Sequence, residues 1–237
     1  MKVRIEPSIA SGKIVVPPSK SYAHRLLITS MLSKEVCTIS NIDLSSDILA
    51  SIGCIKTLGK KVTILDEETN KKLIIEQDEL KQEELVFDCN ESGSTLRFFI
   101  PIALTLGKKV KFIGTEKLIS RGIAPYEEIC KKQNIQVIKD KTSITFIGKL
   151  QSGEFLVPGD ISSQFISGLL FALPLLDGNS KIIITTKLES KNYIDITIDV
   201  LKQAGIIIEA KDEKSYYIVG NQKYQALHCS VEGDYSN

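Results

Sequence analysis

The chain has 237 residues, 43% of them hydrophobic, and its 30 basic and 29 acidic residues leave a formal net charge of +1. That content suffices for a packed core, and the near-neutral balance excludes a general basic field for nucleic acid, so any anion binding must be local. Five scattered cysteines without a CxxC, and only His24 and His228 beside them, argue against a zinc centre or a disulfide framework and for a reducing compartment.

In chain order, residues 1–16 offer two short strands around Gly12 and none of the apolar stretch of a signal peptide, and Pro17-Pro18 then stiffens the chain. The spacing of apolar and turn residues predicts a helix over 21–33, a strand over 36–41, a helix over 46–58 and strands over 61–65 and 72–76. The same order of helix, strand, helix, strand, strand returns over 93–106, 109–113, 124–133, 135–138 and 143–147. It returns again over 163–176, 181–185, 191–204, 206–210 and 215–219. No apolar run approaches the about 20 residues of a membrane span, so a soluble cytoplasmic protein is expected.

Three clusters open the first helix of each repeat: Ser19-Lys20-Ser21, Ser92-Gly93-Ser94 and Ser162-Ser163-Gln164, spaced 73 and 70 residues apart. Ser46, Ser120 and Ser190 are expected to open the second helices, and Gly59, Asn134 and Gly205 to close them in left-handed conformations. A repeat kept in register at three landmarks is architecture. The helix over 164–176 is apolar nearly all round, and 96–106 reads similarly, whereas strands such as Lys109-Val110-Lys111-Phe112-Ile113 alternate. An α/β fold with buried helices and outer sheets is expected, the reverse of a doubly wound one. Helix starts carrying exposed amides, hydroxyls and cations are anion sites, and three equivalent starts are placed to converge on phosphates or carboxylates.

The tail over 231–237 carries Gly233-Asp234 as Gly159-Asp160 introduces the third repeat, so the chain is expected to be the front part of a longer protein. The richest motif is Pro17-Pro18-Ser19-Lys20-Ser21-Tyr22-Ala23-His24-Arg25, where a cationic point charge and a bidentate fork flank a helix start. With it come Glu91-Ser92-Gly93-Ser94-Thr95-Leu96-Arg97, Ser120-Arg121-Gly122-Ile123, Gly159-Asp160-Ile161-Ser162-Ser163-Gln164 and Ser190-Lys191-Asn192-Tyr193-Ile194-Asp195-Ile196-Thr197. Five motifs in this order resemble the 5-enolpyruvylshikimate-3-phosphate synthase family over almost the whole chain.

The resemblance implies one lobe of an inside-out α/β barrel of the enolpyruvyl transferase fold, with residues 1–16 packed on the other lobe, 17–230 forming the N-terminal lobe, and 231–237 a hinge. It implies transfer of the enolpyruvyl group of phosphoenolpyruvate to the 5-hydroxyl of shikimate 3-phosphate, without metal or organic cofactor. Ser21 and Arg25 would bind the carboxylate of shikimate 3-phosphate, Ser162, Ser163 and Ser190 its phosphate, and Tyr193 its ring. Lys20, Gly93, Arg121 and Gln164 would face phosphoenolpyruvate, Lys20 and Gln164 touching both substrates and Lys20 being the catalytic group. The acid-base carboxylates, a further Lys and an Arg pair would come from the family's second half, so this chain alone is expected to be inactive. Glu91 departs from the family, which carries Asn there.

Simpler roles compete at each position. Ser162, Ser163 and Ser190 fit helix caps, Arg97 a structural salt bridge, and Asp47 the start of its own helix, while His24 is not expected to be a base. Two other readings of the chain stay open. One is the sister transferase acting on a UDP-amino sugar, whose reactive Cys should stand near Arg121, where Cys130 is the nearest; the other is a non-catalytic anion-binding domain.

Overall fold

The computed structural model describes residues 11–68, 70–79, 84–212 and 214–234. Along the chain the elements are α1 (Lys20–Leu32), β1 (Cys37–Ile42), α2 (Ser46–Thr57), β2 (Lys60–Asp66), β3 (Lys71–Gln77), β4 (Leu85–Asp88), α3 (Gly93–Thr105) and β5 (Val110–Ile113). Then follow α4 (Glu116–Ser120), α5 (Ala124–Lys132), β6 (Gln136–Lys139), β7 (Ser143–Ile147), β8 (Glu154–Val157) and α6 (Ser163–Ala172). The chain continues through β9 (Ser180–Ile184), α7 (Lys191–Gln203), β10 (Ile208–Asp212), β11 (Ser215–Ile218) and β12 (His228–Ser230).

Three four-stranded sheets share one strand order: β12-β1-β3-β2, β4-β5-β7-β6 and β8-β9-β11-β10. In each, the first pair is parallel and the other two antiparallel. The repeat therefore carries a sixth element, a leading strand before the first helix, which the sequence pattern does not show. β4 and β8 lead the second and third units, and β12, from the far end of the chain, takes that place in the first. Segments of three or four residues are too short to display alternation, and a parallel partner lies beyond a crossover, so nothing local announces them.

The inner layer is helical, as expected. α1, α3 and α6 bury most of their residues, α3 packs on α6, α1 on α2 and α7, and α6 on α7. At the α3/α6 crossing Gly168 has no room for a side chain: a Cβ would press on Tyr126 Oη and stand 2.5 Å from Arg97 O. The Tyr126 hydroxyl donates to Arg97 O at 2.7 Å and Phe165 O at 3.1 Å, which ties both helices to α5.

Several boundaries differ from expectation. The helix expected over 163–176 ends at Ala172 and tightens into a 3-10 turn over Leu173–Leu175, because Pro174 has no N–H to continue the ladder. Ser120 ends the short α4 and opens no helix; α5 starts at Ala124 behind Ile123, without a side-chain cap and with a proline in its first turn. α2 does open at Ser46, as expected, with the residue before it, Ser45, as its cap. Gly59, Asn134 and Gly205 do take positive φ, at 75°, 55° and 77°.

Of the strands expected around Gly12, the part before Ser11 lies outside the described residues, and 11–16 form no strand. Residues 17–19 run beside 232–234: Ser19 N donates to Glu232 O at 2.8 Å and Asp234 N to Pro17 O at 2.7 Å. Among the described residues no helix is long and apolar enough to cross a membrane.

Candidate functional site

A cleft of about 450 Å³ opens where α1, α6 and α7 begin. Eight of the ten predicted site residues line it: Lys20, Ser21 and Arg25 from α1, Ser162, Ser163 and Gln164 at the start of α6, and Ser190 and Tyr193 at the start of α7. A larger hollow of about 880 Å³ lies on the other side of Ser21 and Tyr193, but Asp199, Glu232 and Asp234 line it and suit an anion poorly.

Arg25 is the pivot of the cleft. It is 3% exposed. Its Nε donates to Thr197 Oγ1 at 2.7 Å and Tyr193 O at 3.1 Å, its Nη1 donates to Ser21 O at 2.8 Å, and its guanidinium lies between the rings of Phe98 and Tyr193. All these partners are neutral, and no carboxylate pairs with it among the described residues. Burial pulls its pKa down to about 10, so it remains cationic at neutral pH. A buried cation without a counter-ion is costly to the fold, and the protein leaves Nη2 over for an anion from outside.

Gly93 and Arg121 sit beside this cleft. A Cβ on Gly93 would stand 3.4 Å from Arg97 Nη1, 3.6 Å from Arg121 Nη1 and 3.8 Å from Gln164 Oε1, so two guanidinium groups converge on the start of α3. Arg97 Nη1 donates to Gln164 Oε1 at 2.6 Å, Gln164 Nε2 donates to Ser94 Oγ at 2.9 Å, and Arg97 stacks on Phe165. The structural salt bridge expected for Arg97 is absent among the described residues, and its buried Nε has no partner. Burial, with Arg121 adding to it against the opposing effect of Tyr126, lowers the Arg97 pKa. Two like charges held this close to helix-start amides suit an anion between them.

The serines divide. Ser19, Ser92 and Ser162 cap their helices through Tyr22 N, Thr95 N and Gln164 N. Ser190 makes no side-chain cap bond and stands in the left-handed region at φ 57°, a conformation costly for a residue with a Cβ and retained where the surroundings require it. Ser190 lines the cleft, and its hydroxyl does not cap its own helix.

Asp47 does more than stabilise the start of α2. Its carboxylate meets Lys20 Nζ at 3.0 Å; burial alone would raise its pKa, but nearby Lys20 and Ser92 outweigh burial and lower it. Asp47 thereby aims Lys20, and only proximity across 27 residues reveals the pairing. Glu91 lies in a separate recess with Ser46, Asp47, Asn90 and Ser92, outside the main cleft.

The family model described as EPSP synthase (3-phosphoshikimate 1-carboxyvinyltransferase) matches residues 6–237. The chain belongs to the EPSP synthase family. It is 48% identical to the 3-phosphoshikimate 1-carboxyvinyltransferase of Clostridium perfringens (strain SM101) over 238 residues, covering 99% of this chain and 55% of that protein. The Clostridium kluyveri protein of the same name is 45% identical over 236 residues, with the same coverage of each. The chain spans about half the length of the curated relatives it matches. An EPSP synthase structure from Acinetobacter baumannii superposes with a TM-score of 0.73 at 18% identity, covering 94% of this chain and 50% of that one, which shows the shared fold.

Within the EPSP synthase fold, Cys130 is disposed against the UDP-amino sugar reading: it is buried in α5, and burial pushes its thiol up to about 12, far from a nucleophile's range. No cluster of three or more His, Cys, Asp or Glu able to hold a metal occurs among the described residues.

His24, which sequence reasoning set aside, lines the cleft and is 2% exposed. Burial is the main cause of a pKa pulled down to about 4; Asp47 opposes the shift, and Arg25 and Lys20 add to it. With an unfolded value near 6.5, the unfolded chain binds the extra proton first, so stability falls as pH drops from about 6.5 to about 4, by about 3 kcal/mol in total. Urea unfolding at pH 7.5 and 5 checks this: the native chain should lose about 2 kcal/mol more than His24→Asn does. Equal losses in both proteins would remove His24 as the source.

Proposed function

We propose that this chain is the N-terminal lobe of a 3-phosphoshikimate 1-carboxyvinyltransferase, and that the cleft supplies its half of the active site. In the whole enzyme the 5-hydroxyl of shikimate 3-phosphate adds to C2 of phosphoenolpyruvate as a proton goes to C3. Loss of phosphate and a C3 proton then leaves the enolpyruvyl ether. The observation that carries the reading is Arg25, buried without a carboxylate in the same cleft as Ser162, Ser163 and Ser190. Arg25 and Ser21 receive the carboxylate of shikimate 3-phosphate, the serines receive its phosphate, and Tyr193 packs along its ring.

Gly93 N–H, Arg121 and Gln164 take phosphoenolpyruvate, and Lys20 stands at the junction, where a cation serves both substrates and proton transfer. Arg97 is added to this set because its Nη1 reaches the same point as Arg121. Charge-assisted hydrogen bonds of about 1.5–3 kcal/mol each hold two mutually repelling anions side by side. The lobe works without a metal or organic cofactor, in the cytoplasm, together with a second lobe carrying the acid-base carboxylates. Residues 1–16 belong to that second lobe, 17–230 to this one, and 231–237 lead back. The side-by-side course of 17–19 and 232–234 supports a double crossing at one place.

The isolated chain should show negligible turnover, because the proton-transfer groups are supplied elsewhere and an open cleft stays wet. Mixed with a separately made C-terminal half of a relative, it should release phosphate from the two substrates. Full turnover by the isolated chain would contradict the reading, as would a mixture that binds both substrates and stays silent.

A further inference from the structure

The cleft is furnished with cations, hydroxyls and helix-start amides, all able to donate to an anion; His24 departs from that pattern. Its Nδ1 lies 3.3 Å from Ser51 Oγ, its ring meets Phe98 edge-on, and its Nε2 is buried without a hydrogen-bond partner among the described residues. Such an orphan in a native fold calls for a physical reason.

A chain of hydroxyls settles which ring nitrogen holds the proton. Thr95 Oγ1 donates toward Ser92 Oγ at 2.7 Å and the Asp47 backbone O at 3.4 Å, and it stands 2.9 Å from Ser51 Oγ. The one Thr95 proton is committed to those oxygens, so Thr95 Oγ1 receives that of Ser51. Ser51 Oγ is left to accept, and its donor is His24 Nδ1–H. The neutral imidazole therefore carries its proton on Nδ1 and a bare lone pair on Nε2. Burial keeps the ring neutral at pH 7.

A fully ionised phosphate or carboxylate has no proton to offer that lone pair, whereas an alcohol has. We propose that His24 Nε2 accepts a hydrogen bond from a hydroxyl of the phosphorylated ring alcohol held in this cleft, so that His24 selects hydroxylated anions over plain ones. The inference rests on the functional reading above and adds a residue to it that the motifs do not assign. His24 is a ligand contact in this scheme and takes no part in proton transfer, since its proton lies on the far nitrogen.

The experiment is a long-range proton–nitrogen correlation of the full chain labelled with 15N-histidine at pH 7.5, with His228→Gln assigning the two rings. Free protein should show His24 as the Nδ1–H tautomer. Shikimate 3-phosphate should move its Nε2 signal upfield by several ppm, and sulfate, which carries no proton at this pH, should leave it in place while shifting the backbone amides of Ser162 and Ser163. An Nε2–H tautomer in the free protein overturns the proposal whatever the ligand does. Amide shifts with shikimate 3-phosphate and an unmoved Nε2 overturn it while leaving the function standing. Absence of any shift with shikimate 3-phosphate overturns the functional reading, and this inference falls with it.

Discussion

Gly168→Ala is expected to destabilise the protein by about 3 kcal/mol, roughly 6–12 °C in melting temperature for a chain of this size. Alanine gains up to about 1 kcal/mol over glycine from helix propensity alone, so an exposed helical site would respond with the opposite sign. Here the added methyl presses on Tyr126 Oη, stands 2.5 Å from Arg97 O and lies 3.2 Å from Pro101 Cγ. A backbone carbonyl cannot rotate away as a side chain can, so α6 must lift from α3. The lift also breaks the bifurcated bond from the Tyr126 hydroxyl to Arg97 O and Phe165 O, worth about 1 kcal/mol. Urea unfolding reads the loss directly. The same displacement pulls Arg97 Nη1 from Gln164 Oε1, now 2.6 Å apart, so phosphoenolpyruvate binding should weaken in step. A midpoint equal to or above that of the native chain would show that the crossing has room for a methyl group.

Arg25→Ala should behave in the opposite manner, with a large effect on binding and a small one on stability. The substitution gives up hydrogen bonds to Thr197, Tyr193 and Ser21, but it also removes a buried cation that has only neutral partners, and the two terms offset. Shikimate 3-phosphate should lose about a hundredfold or more in affinity, the usual consequence of truncating one partner of a desolvated charge pair. Phosphoenolpyruvate should lose much less, while Arg121→Ala should reverse the order, because Arg121 stands by Gly93. Calorimetry on the two variants with each ligand makes a four-cell comparison. Equal losses in all four cells would contradict the division of the cleft into two anion subsites.

Helix starts were legible because serines and an apolar run follow one another within a few residues. Helix ends were legible because Gly59, Asn134 and Gly205 take the left-handed conformation that closes a helix. Ser120 misled because its register matched the repeat while the local chain, with Pro125 just inside α5, set the helix start later. Pro174 was readable as a break and should have shortened the helix expected over 163–176. Arg97 was visible as a charge on an apolar helix, but sequence offers no means of telling a guanidinium paired with carboxylate from one paired with Gln164 and Phe165.

By itself the sequence determined what depends on neighbours within a turn or two: the threefold repeat, its helices and longer strands, the burial of α3 and α6, and which side chains stand at the helix starts. Tertiary structure decided what depends on distant segments meeting. β12 completes the first sheet by pairing its residues with β1 across 190 positions, as between Thr38 and His228. Arg25 finds Thr197 across 172, Lys20 finds Asp47 across 27, and His24 is left with a bare nitrogen only because Ser51, Thr95, Ser92 and Asp47 assemble beside it. Backbone periodicity is a property of adjacent residues and survives in any context. Whether a charge has a partner is a property of the packed interior, where desolvation makes each missing partner count, and it comes into being only when the helix starts are brought together.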